Sequence, residues 1–170
     1  MINRFKISLL FFIVSSSSWA ENSVEPIKLS RNEFYAALTQ LNYRNGTVER
    51  MPEEKQRRIE KAFKIKKIHD LNELDNKLIQ TDAYGVPLKM EEFASEFMMV
   101  GDSVYCSHVE PPPPNQVVHV KMKDGVKGLP IDVFGDISPL EVIGRFKIIR
   151  KKSEFGSAGF EMIVEKIRKI

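Results

Sequence analysis

The sequence is poor in the residues that staple a fold together or carry it through a membrane. Its 170 residues hold one cysteine, one tryptophan and three histidines. A single thiol cannot close an internal disulfide, and with no Cys-x-x-Cys pair, dithiol exchange of the thioredoxin kind is excluded by count. No apolar run approaches the roughly 20 residues of a spanning helix. Neither sign of charge dominates, with 26 basic and 23 acidic residues. Low complexity is confined to one serine run and one proline run, and no internal repeat is visible.

What is present begins with MINRFKISLLFFIVSSSSWA. Arg4 and Lys6 form a positive leader, Ile7 to Val14 a short apolar core, and Ser18-Trp19-Ala20 a small-residue cleavage pattern. Those are the parts of a secretory signal peptide over residues 1–20. Removing Arg4 and Lys6 from the 26 basic residues leaves 24 against 23 acidic ones. The mature chain is then close to neutral, and its charge gives no reason to expect a nucleic-acid partner. A lone cysteine in an exported chain suits a bacterial periplasm better than a disulfide-stapled secreted domain. With no second long apolar run, the mature chain is expected to be soluble, with no membrane span.

Residues 21–70 read as an N-terminal helical extension. Ser30-Arg31-Asn32-Glu33 has the spacing of a capping box, and Phe34, Leu38 and Leu41 follow at helical intervals. Asn45-Gly46 reads as a turn. Met51-Pro52-Glu53-Glu54 opens a second helix, with Ile59, Ala62 and Phe63 on a stripe otherwise rich in Lys, Arg and Glu. That helix reads as solvated and amphipathic; a membrane-surface or partner-docking helix is the alternative.

From residue 71 the texture becomes short apolar or alternating runs punctuated by Gly and Pro. They are KLIQTDAYGVPLKM, FASEFMMV, NQVVHVKM, LPIDVFGDI, GRFKIIRK and GFEMIVEKIRKI. In VVHVKM, Val118, Val120 and Met122 share one face, and Val117, His119 and Lys121 the other. Five or six strands without long intervening helices predict a fold that is mainly β with N-terminal helices. Residues 71–170 would form a small antiparallel, OB-like, partly open β-barrel. A two-sheet β-sandwich is the runner-up. Gly85 would let the first long strand bend.

The chemistry-bearing stretch is YCSHVEPPPPNQVVHV, residues 105–120. If Val104 to His108 is extended, Cys106 and His108 project to one face. Thiolate and imidazole are ligand types that zinc or copper favours. Completing a site would need Asp102, Glu110, His69, His119, a water or a group from another protein. His119 shares a face with Lys121 and is expected at the surface, as is His69. Two other readings stay open. Cys106 could act as a nucleophile with His108 as its base, or both could be structural. Pro111, Pro112, Pro113 and Pro114 form a stiff segment that reads as a strap between two strands or as a docking ligand. Asn115 and Gln116 then supply the donors that proline lacks.

The order GVPLKM, EFMMV, CSHVEPPPPNQVVHV, VFGDI and FGSAGFEM resembles the bacterial exported family known as domain of unknown function 3299. The resemblance covers roughly residues 71–170, and Cys106-x-His108 through Asn115-Gln116 is its most specific part. Val109-Glu110 and His119 depart from the residue types expected there. The resemblance implies a periplasmic accessory of an ATP-driven transport system, partnered by an ABC-type transporter or another exported protein. The expectation is a non-enzymatic binding protein holding a divalent metal, zinc by ligand type, through Cys106 and His108. The alternatives are a thiol-dependent enzyme or a pure interaction module.

Overall fold

The computed structural model describes residues 24–44, 47–50, 52–65, 68–89, 91–102, 114–130, 132, 139–149 and 159–170, with the side chains of 42–50, 63 and 114 left out. Within these the chain runs β1 (Ile27–Lys28), α1 (Arg31–Leu38), β2 (Leu41–Arg44), β3 (Thr47–Arg50), α2 (Glu53–Phe63), α3 (Leu71–Leu74) and β4 (Leu78–Pro87). It continues through β5 (Phe93–Ala94), β6 (Glu96–Val100), a 3-10 turn (Pro114–Gln116), β7 (Val117–Met122), β8 (Leu129–Pro130), β9 (Leu140–Ile148) and β10 (Phe160–Lys169).

Helix α1 starts where the capping pattern predicts. The Ser30 amide donates to Glu33 Oε2 at 2.9 Å, and the Glu33 amide donates to Ser30 Oγ at 3.4 Å. The two residues thus satisfy donors that the first helical turn leaves without partners. The helix ends at Leu38, sooner than the apolar spacing suggests. Beyond it β2 and β3 pair antiparallel, with Arg44 opposite Thr47. Asn45-Gly46, expected as a turn, lies outside the described residues. Leu71–Leu74 form a single helical turn whose Asp70 side chain accepts from the Asn72 amide.

Five strands close into a ring, because β4 pairs with both β6 and β9. The order around it is β4, β6, β7, β10, β9 and back to β4. β9–β4–β6–β7 is a Greek key, and β10 fills the remaining gap as in OB-type barrels. The sandwich alternative is thereby set aside, and the barrel is closed rather than partly open. All ring pairings are antiparallel except β7 with β10, which run parallel. β4 uses Leu78–Ala83 against β9 and Tyr84–Pro87 against β6, so it changes partner just before Gly85.

Alternation fills the interior as the sequence suggests. Ile79, Ala83, Phe97, Met99, Val118, Val120, Val142, Phe146, Phe160, Met162 and Val164 are all fully enclosed. In β10 the pattern changes partway. Val164 pairs with Gly144 and Lys166 with Ile143, so Glu165 is an extra residue and a bulge forms. Past a bulge the two faces exchange. Lys166, expected inward by simple alternation, is exposed, and Ile167 packs against the core in its place.

The extension shares this core. Phe34 to Leu38 of α1 are buried in the same apolar cluster as the barrel interior. The Phe34 ring meets Phe146 edge-on at 5.5 Å, and Phe146 lies 5.6 Å from Phe160. β1 lies parallel to β4, with Ile27 opposite Ile79.

Candidate functional site

Cys106, His108, Pro111, Pro112 and Pro113 lie outside the described residues, as does the extended run predicted for Val104 to His108. Of the signature, the backbone of Pro114 and the residues Asn115 and Gln116 are described, and they form the 3-10 turn that enters β7. What the structure fixes is the base from which the connection 101–116 departs and to which it returns. Val100 ends β6 and pairs with Val117, the first residue of β7. Both ends of the connection therefore sit at one point of the barrel wall.

Two features of the N-terminal extension frame that point. Antiparallel pairing of β6 with β4 would place the residues after Val100 along the first half of β4. That edge is taken: β1 pairs with Ile79 and Gln80, and the Leu29 amide donates to the Gln80 carbonyl at 2.9 Å. Gly101 is also pressed under a ring. A Cβ placed there would lie 2.8 Å from Tyr35 Cγ, so a larger residue would have to displace the Tyr35 ring. At the other end, the 3-10 turn packs against α1 and β2. Tyr35 and Gly101 escape sequence reasoning because their contact joins distant parts of the chain. The glycine directly after an apolar strand is the one local signal of close approach.

The outward face of β6 and β7 beside this point is not a plain solvated surface. Val86, Val100 and Val117 form a second buried apolar cluster, with Tyr84 and Met98 packed on it. His119 lies on the same face, opposite Met98 and Glu161, and is only 3% exposed. The expectation of a surface histidine is corrected here. Its alternation was read correctly, since it does point away from the interior, but the outward face is itself covered at this position. Its Nε2 stands 3.5 Å from Glu96 Oε2, and Glu96 is about half exposed. Lys121, two residues on, pairs with Glu161 at 3.1 Å. The face therefore carries fixed polar and charged groups bordered by valines and a methionine, an arrangement suited to orienting a bound group.

It does not form a metal centre by itself. Among the described residues no three His, Cys, Asp or Glu side chains converge. His69 is half-buried, and its carbonyl accepts a hydrogen bond from Gln40 Nε2. Asp102 is exposed just past Gly101. Among the described residues no helix is long and apolar enough to cross a membrane.

A crystal structure of a DUF3299 family protein from Pseudomonas aeruginosa PAO1 is similar to this chain at 22% identity. The match has a TM-score of 0.54 and covers 86% of this chain and 97% of that one. At that identity it supports the fold. A Leishmania major Friedlin protein assigned as an aspartyl-tRNA synthetase matches at 13% identity with a TM-score of 0.37, over 92% of this chain and 22% of that one. No curated protein matches. The family model described as "Protein of unknown function (DUF3299)" matches residues 20–169, and the chain belongs to that family.

Proposed function

We propose that this protein is an exported, periplasmic, non-enzymatic binding or accessory protein whose 101–116 connection is the working part. In this reading Cys106 and His108 hold a divalent metal, zinc by ligand type, and the barrel serves as a rigid base. The observation that carries the reading is the anchoring of both ends of the connection at the Val100–Val117 pair, under Tyr35 and against α1. A loop whose ends are fixed gives up less freedom when it closes on a ligand. The residue types support the choice of ligand. A thiolate and an imidazole two residues apart can share one ion, and remaining positions are open to a water or a partner's group. Association with an ATP-driven transporter rests on the family resemblance and is proposed with it.

Cobalt(II) titration of the purified protein tests the metal reading. A thiolate-to-cobalt absorption band that disappears in Cys106→Ser, and weakens in His108→Ala, is the expected result. No band in the wild type rejects it. Rapid alkylation of Cys106 near neutral pH, slowed by His108→Ala and indifferent to zinc, would point to a thiol-dependent enzyme instead.

A further inference from the structure

On the outward face of β6 and β7, His119 and Glu96 come together across the two strands. Met98 is the direct partner of His119 and Lys121 that of Glu96, so the two meet on a diagonal. Glu96 Oε2 lies 3.5 Å from His119 Nε2. That is longer than an N–H···O hydrogen bond. It matches instead the spacing of two donors on one zinc ion, since bonds of about 2.0–2.1 Å at a tetrahedral angle put the donors about 3.3–3.4 Å apart. The neighbouring charges leave the carboxylate to this role. Lys121 is drawn to Glu161 at 3.1 Å, and among the described residues no lysine or arginine pairs with Glu96. His119 is enclosed while Glu96 is about half exposed, so a ligand can approach from the Glu96 side.

We propose that His119 Nε2 and Glu96 Oε2 ligate a divalent metal, the one that Cys106 and His108 hold from the 101–116 connection. The inference rests on that reading and supplies the donors it leaves open. Two donors do not close a site, but a cysteine, two histidines and a carboxylate make four, all of kinds that zinc takes. Chain length permits the meeting. His119 stands two residues into β7 from Val117, about 7 Å along the strand from the anchored base. Cys106 follows Val100 by six residues, a reach of up to about 20 Å, and His108 precedes Val117 by nine. The same geometry without a metal is an ion pair of His119 with Glu96, which would give no dependence of metal affinity on either residue.

Optical titration of the purified full chain with cobalt(II) tests it, with Glu96→Gln and His119→Gln measured beside Cys106→Ser. The thiolate band is expected in the wild type, Glu96→Gln and His119→Gln alike, and to be lost in Cys106→Ser. Cobalt affinity is expected to fall at least about tenfold in Glu96→Gln and in His119→Gln, the scale that even outer-shell partners of a metal reach. Their visible ligand-field bands should weaken as water replaces a protein donor. Glu96 is about half exposed, so Glu96→Gln decides the matter if His119→Gln does not fold. A thiolate band with affinity unchanged by Glu96→Gln overturns the inference and leaves the Cys106–His108 reading standing. Cobalt bound without a thiolate band, yet weakened by Glu96→Gln, removes Cys106 from the site and supports His119 and Glu96 as ligands. No cobalt binding by the wild type overturns both.

Discussion

At the scale of single residues, two positions show how tightly the barrel constrains its sequence. Gly144 faces inward on β9 beside the β10 bulge, where a Cβ would lie 2.7 Å from the Ile163 carbonyl oxygen and 3.0 Å from Val164 Cα. Those are backbone atoms, so the crowding cannot be relieved by turning a side chain. Gly144→Ala is expected to cost about 1–3 kcal/mol in urea unfolding, as overpacking of a well-filled interior does. Thr81 shows the opposite strain. Its side chain points into the barrel at 3% exposure, and its hydroxyl has no hydrogen-bond partner among the described residues. Replacing the hydroxyl by a methyl of the same shape removes an uncompensated polar group. Thr81→Val is therefore expected to leave the unfolding midpoint unchanged or raise it; a clear loss would mean that the hydroxyl is engaged.

At the scale of elements, α1 is the piece that frames the departure point of the 101–116 connection. It buries Phe34 to Leu38 in the barrel's core, seats Tyr35 over Gly101, and supports the turn that leads into β7. Its start is held by the Ser30–Glu33 box. Ser30 Oγ donates to Glu33 Oε2 at 2.7 Å, and this bond with that of the Ser30 amide holds the Glu33 carboxyl below the ordinary carboxylate range. A carboxyl depressed in the folded state adds stability that is complete above its unfolded pKa and lost as pH falls through the folded one. The stability gap between wild type and Glu33→Gln is therefore expected to close on acidification, and denaturant titrations over a pH series read it. Ser30→Ala is expected to cost about 1 kcal/mol at neutral pH.

The elements also show where sequence reading reaches its limit. β4, β6, β7 and much of β10 were legible because alternation within a strand is a local property. The β10 bulge was not, since an extra residue is recognised only against the strand it fails to match. The first half of β9 was missed because ISPLEVI opens on Ser-Pro and mixes its faces. The hairpin after α1 was visible only as a turn, because its two strands are four residues each. His119 was placed on the correct face and given the wrong burial, because alternation says which way a side chain points and not what lies above it.

At the scale of the whole molecule, the N-terminal extension and the barrel meet at the departure point of one connection. Closing the ring leaves the β6–β7 junction as an anchored base, and β1 with Tyr35 keeps the chain after Val100 from continuing along β4. The family was legible in the sequence, and the family model that matches residues 20–169 agrees with the resemblance. The base of the 101–116 connection was not legible, because its parts come from opposite ends of the sequence.

Zinc analysis of the purified protein beside its Cys106→Ala and His108→Ala variants tests the proposed metal-holding role most directly. About one zinc per wild-type chain, lost in both variants while the near-ultraviolet circular dichroism of the barrel persists, is the predicted result. Zinc content that is negligible in the wild type, or the same in all three proteins, contradicts it.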